Sequence, residues 1–104
     1  MSDGLQDKTR AAISGVLRKH PRIERVVLFG SRAMGTFTPT SDIDLGLYGD
    51  LSLTDQTRIA AELDQLSIAH QVDLVRMNTV TSPELLAHIR QHGEPWNLNA
   101  EGAN

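Results

Sequence analysis

The chain has 104 residues, 39% of them hydrophobic and 22% charged, with a net charge of -3. That suits one small domain with its own core and little surface left for a separate substrate domain. There is no cysteine, which excludes a disulfide framework, a thiolate metal site and a thiol nucleophile. No apolar run approaches the roughly 20 residues of a membrane span, and the opening MSDGLQDKTR has no apolar secretion segment, so no membrane partner is expected and the reading is of a cytoplasmic protein.

In chain order, Ile13, Val16, Leu17 and His20 recur at helical spacing over 7–20, and Pro21 ends that helix. RVVLF, residues 25–29, is a β-branched apolar run and reads as a buried strand that Gly30 breaks. Residues 31–35 suit one helical turn with Ser31 as its cap. TFTPTS, 36–41, is a loop marked by Pro39, and DIDLGLY, 42–48, alternates as a strand does before the Gly49-Asp50 turn. A helix over 54–67 carries Ile59, Leu63 and Leu66 on one stripe. QVDLVR, 71–76, is a third strand. Ser82 caps a last helix that has Pro83 at its first position, Leu85, Leu86 and Ile89 as its apolar face, and Gly93 at its end. The order α-β-(turn)-β-α-β-α predicts an α/β fold, a small sheet packed on helices in a single pair of layers.

Charge is unevenly spread. Lys8, Arg10, Arg18, Lys19, Arg22, Arg25 and Arg32 all fall in the first 32 residues, and most acids follow. The basic part is one helix and its exit, which reads as a solvated helix face rather than a nucleic-acid footprint.

The chemistry concentrates in LFGSRAMGTFTPTSDIDLGL, residues 28–47. On a strand, Asp42, Asp44 and Gly46 face one way and Ile43, Leu45 and Leu47 the other. Two carboxylates about 6.5–7 Å apart along a strand can share a pair of hard cations such as Mg²⁺ or Mn²⁺, and Gly46 would leave room beside them. Asp73 in VDLV offers a third carboxylate; taken alone, a half-exposed strand acid explains it equally well. Gly30-Ser31 could let a phosphate approach the backbone, with Ser31 adding a hydroxyl and Arg32 a charge; a capped turn is the blander reading.

The full arrangement of strand, Gly30-Ser31, ten residues, then Asp42-Ile43-Asp44 resembles the signature of the DNA polymerase β-like nucleotidyltransferase superfamily. The flanks LFGSRAMG and SDIDLGL resemble its minimal nucleotidyltransferase (MNT) branch, and VDLV resembles the setting of that family's third carboxylate. The resemblance implies a small mixed sheet packed against helices as a single minimal catalytic domain over 1–96, with 97–104 a disordered tail. It implies that Asp42, Asp44 and Asp73 are catalytic and hold two Mg²⁺ ions, with Mn²⁺ as a substitute, and that Asp73 also orients or deprotonates an acceptor hydroxyl. Gly30 and Ser31 would hold the β- and γ-phosphates of ATP, and Arg32 would add a phosphate contact. It further implies an all-helical HEPN-type or related partner from a neighbouring gene. In toxin–antitoxin examples the MNT chain is the antitoxin and attaches AMP to that partner. Homo- and hetero-oligomers are both open.

Two other readings stand beside this one. The first is a non-catalytic antitoxin that masks its partner by contact; the presence of all three aspartates argues against decay of the site. The second is a transferase for a small hydroxylated molecule or an RNA end; the acidic balance argues against RNA. Lysine is absent after Lys19, so any phosphate clamp beyond Arg32 must come from Arg76, Arg22, a metal or a partner. His88 and His92 stand i, i+4, and a solvated helix end is favoured over a zinc pair, since no third ligand is apparent. Phe29 and Phe37 read as core and loop packing, and Trp96 as closing the core rather than anchoring a partner.

Overall fold

A computed structural model describes residues 4–98. Helix α1 is Asp7–Leu17, strand β1 Ile23–Phe29, the short helix α2 Ser31–Met34 and strand β2 Ile43–Gly49. Helix α3 is Leu53–Asp64, strand β3 Val72–Arg76, helix α4 Pro83–His92 and strand β4 Glu94–Pro95, with one 3-10 turn at Met77–Thr79. Among the described residues no helix is long and apolar enough to cross a membrane.

Helix α1 stops three residues short of the expected end. The amides of Lys19 and His20 turn back to the carbonyls of Val16 and Leu17 at 3.1 Å, and His20 is drawn to Glu62 of α3 at 2.8 Å. Helix α3 begins in a capping box: Ser52 Oγ accepts from the Asp55 amide while Asp55 accepts from the Ser52 amide. Helix α4 opens as expected, with Ser82 Oγ accepting from the Leu85 amide.

The sheet is mixed, in the order β3-β2-β1-β4. β2 runs antiparallel to β1 and parallel to β3, and β4 is antiparallel to β1. Alternation along β1 divides the protein in two. Val26 and Leu28 join Ile43, Leu45 and Leu47 against Ile13 and Leu17 of α1 and Ile59 and Leu63 of α3. Val27 and Phe29 point the other way and meet Ile89 and Leu85 of α4. The helices thus lie on both faces rather than in the single layer pair expected, because β1 is apolar at every position from Val26 to Phe29 and has no face to give to solvent. Burial of each such aliphatic side chain is worth about 1.5–3 kcal/mol.

Two local findings follow. Gly46 does not leave room beside the carboxylates: a Cβ there would meet Val27 Cγ1 at 2.8 Å and Met77 Sδ at 2.9 Å, so the glycine allows β1 and the 3-10 turn to close over β2. Trp96 is buried, and its Nε1–H donates to the equally buried Ser14 Oγ at 2.9 Å, so it closes the core as expected. Arg10 lies over its ring at 4.5 Å. Leu98 packs against the main core and its carbonyl accepts from Arg18 at 2.7 Å; the remainder of the expected tail, residues 99–104, lies outside the described residues.

Candidate active site

Because Ile43 and Leu45 are committed to the main core, Asp44 between them must face the α4 side of the sheet. Its register neighbours are Phe29 on β1 and Asp73 on β3. Val72 and Leu74 likewise pack toward the main core, which sends Asp73 to the same side as Asp44. Asp42, one residue before β2 begins, is exposed at the lip of this surface. The sequence-predicted carboxylates are thus brought to one end of one face.

Electrostatics register the convergence. Burial, then the negative charges of Asp73 and Asp42, raise the Asp44 carboxyl above the usual carboxylate range. An all-oxygen, mutually repelling donor set is what a hard divalent cation neutralises. Among the described residues no three His, Cys, Asp or Glu side chains close around one point as a metal cage does. The fit is therefore one of donor chemistry and charge, and does not define a coordination geometry.

Gly30 follows β1 directly and sits against the carboxylate. Its φ of 78° and ψ of -158° fall in a region that essentially only glycine occupies, and a Cβ built there would collide with Asp44 Oδ2. Gly30, rather than Ser31, occupies the cap position of α2. Ser31 is the first helical residue and half-buried, one peptide unit from this contact.

Arg32 is placed otherwise. It is 2% exposed, with its Nε and Nη2 donating to the Ser41 carbonyl at 3.2 and 3.1 Å and Nη2 to His70 Nδ1 at 3.2 Å. Its guanidinium lies 5.2 Å from the Phe37 ring centroid. Arg32 therefore fastens the residue immediately before Asp42, and Phe37 packs on it as a loop anchor. Arg76 shares the side of Val72 and Leu74 on β3, where it bonds Gln56 at 2.8 Å and the Leu51 carbonyl at 3.2 Å. Arg22 pairs with Asp55 at 3.3 Å. Each of these cations is engaged with partners other than the carboxylate face.

A basic side chain that reaches the Gly30 end of this face is His88 of α4. Its Nε2 accepts the Gly30 amide at 2.9 Å, and its ring meets Phe29 edge-on at 6.2 Å between centroids. The sequence reading took it for a solvated helix end. The i, i+4 histidine pair was visible, yet nothing in it indicates that α4 crosses the end of β1.

This fold and carboxylate face define a nucleotidyltransferase domain. Residues 11–95 match the family model described as polymerase beta, nucleotidyltransferase, and the chain belongs to that family. Over 93 residues it is 30% identical to a Methanocaldococcus jannaschii chain that carries the name protein adenylyltransferase, covering 81% of this chain and 94% of that one. A chain of a toxin–antitoxin complex crystallised with AMP-PNP is 26% identical with a TM-score of 0.69, over 85% of this chain and 72% of that one. The same fold, at 23% identity and a TM-score of 0.66, occurs in a Shewanella oneidensis complex of a tri-AMPylated HEPN toxin with its MNT antitoxin, over 89% and 72% of the two chains.

Proposed function

We propose that this nucleotidyltransferase moves AMP from ATP to a hydroxyl on a small helical HEPN-type partner protein and thereby acts as its antitoxin. The observation that carries the reading is the convergence of Asp42, Asp44 and Asp73 beside Gly30, with the Asp44 carboxyl raised by burial and then by its like-charged neighbours. The name of the Methanocaldococcus relative and the toxin–antitoxin setting of the AMP-PNP structure support the choice of nucleotide and acceptor.

In this reading Asp42, Asp44 and Asp73 hold Mg²⁺, or Mn²⁺ in its place. Such ions supply charge neutralisation and polarisation of a phosphoryl oxygen. The Gly30 amide and Ser31 hydroxyl hold the β- and γ-phosphates. Asp73, across β2 from Phe29, takes the proton of the acceptor hydroxyl as its oxygen bonds to the α-phosphorus; the α–β phosphoanhydride bond breaks and pyrophosphate leaves. Arg32 contributes indirectly, by fixing the Ser41 carbonyl and so the approach of Asp42. In this reading the helical partner itself brings the acceptor hydroxyl to the carboxylate face.

The test is the intact mass of the co-expressed helical partner after incubation with this protein, ATP and Mg²⁺, alongside an Asp42→Asn/Asp44→Asn control. AMP-sized increments with wild type alone are expected. A complex that forms without any increment would overturn protein adenylylation and leave masking by contact.

A further inference from the structure

The Gly30 amide is already occupied. It donates to His88 Nε2 at 2.9 Å, so in this arrangement that ring nitrogen carries no proton and presents its lone pair to the amide. A phosphate oxygen accepting from the same N–H would need the same position. We propose that His88 is a placeholder for phosphate: it satisfies the Gly30 amide in the nucleotide-free protein and must swing away before a nucleoside triphosphate can seat there. The proposal rests on the reading of Gly30 as a phosphate-binding residue.

The setting of the ring fits that role. Gly30 sits between the end of β1 and the first turn of α2, beside Asp44, and its amide points at the His88 ring. An unsatisfied, half-buried amide is unfavourable, and the imidazole removes that penalty while the site is empty. The ring itself is held lightly. It touches the edge of Phe29 and lies 5.3 Å from the His92 ring, and Ile89 is the buried residue of α4. Beside the Ile89–Val27 contact, a cleft of about 410 Å³ lined by Tyr48, Met77 and Leu86 opens between α4 and the sheet, so packing there is incomplete. Movement of His88 therefore leaves the main core, on the opposite face, undisturbed.

Competition of this kind lowers apparent nucleotide affinity by the strength of the displaced hydrogen bond, about two- to tenfold. The probe is AMP-PNP with Mg²⁺, titrated calorimetrically into wild type, His88→Ala and His88→Gln. Alanine frees the amide and is expected to bind about two- to tenfold tighter; glutamine, whose side-chain oxygen can still accept, is expected to stay close to wild type. Equal or weaker binding by His88→Ala overturns the proposal. A second readout uses the nucleotide-free protein: imidazole ¹⁵N NMR of His88 is expected to give an unprotonated, hydrogen-bonded Nε2 whose signal moves when AMP-PNP is added. An Nε2–H tautomer, or a signal unmoved on binding, also overturns it. Absence of binding by every variant overturns the phosphate reading of Gly30 and the proposal together, whereas binding without the affinity gain overturns the proposal alone.

Discussion

Asp44→Asn separates the function of the carboxylate face from its stability. Register neighbours on parallel strands lie about 4.8 Å apart, and Asp44 and Asp73 are such neighbours. Two unit charges at that distance repel by about 0.9 kcal/mol in water and about 3.5 kcal/mol at an effective dielectric of 20. Asp44 is half-exposed, so screening favours the lower part, about 1–2 kcal/mol. Asparagine removes that repulsion while keeping the shape. The folded protein is thus expected to gain about 4–8 °C in Tm for each kcal/mol, measured near pH 7 without divalent ions. The sign follows from the raised Asp44 carboxyl: the folded state holds its proton more tightly than the unfolded chain, so wild type is relatively stabilised at low pH and loses that advantage as pH rises through the folded value. The gap between mutant and wild type should therefore close as pH falls toward the ordinary Asp value of 3.8. Millimolar Mg²⁺ should raise the Tm of wild type and leave the mutant unchanged, and adenylylation should fall by at least about 10³-fold. A mutant less stable than wild type at neutral pH would refute the argument, because Asp44 would then be a paired structural acid rather than a repelled ligand.

Gly30→Ala is expected to lose about 1–3 kcal/mol of stability in urea melts, from the enforced backbone region and the collision with Asp44; an unchanged midpoint would mean the loop relaxes freely. Arg32→Ala should cost about 2–4 kcal/mol by orphaning the Ser41 carbonyl and leaving a buried gap, and should accelerate hydrogen exchange around residues 38–42. If it instead weakened only nucleotide binding at unchanged stability, Arg32 would be a phosphate ligand after all. Trp96→Phe is expected to cost about 1–3 kcal/mol by stranding the buried Ser14 hydroxyl, with Ser14→Ala/Trp96→Phe recovering part of the loss in a thermal melt.

The two longest apolar signals were the most legible. RVVLF and DIDLGLY became neighbouring strands because their β-branched and alternating patterns leave no other way to bury those side chains. The third carboxylate was legible as a strand residue, yet its alignment with Asp44 arises only from the parallel β2–β3 register. Strand β4 was not legible. Glu94 and Pro95 have no strand propensity, and they pair with Leu28 and Val27 because burial of Trp96 carries the chain past β1. Arg32 was read by its charge, when its guanidinium geometry suited backbone carbonyls better. His88 lay in plain view, but a histidine's partner across 58 residues is a property of the fold.

Both borders of the sheet are blunted. At one border, the Leu74 carbonyl of β3 is taken by the Gln56 side-chain amide at 2.9 Å. At the other, β4 is two residues long and ends in a proline that has no N–H to offer. An extended peptide adding itself to either border would meet these two obstacles. The same blunting disfavours edge-to-edge stacking with its own copies and favours a companion that approaches across a helix or over the carboxylate surface.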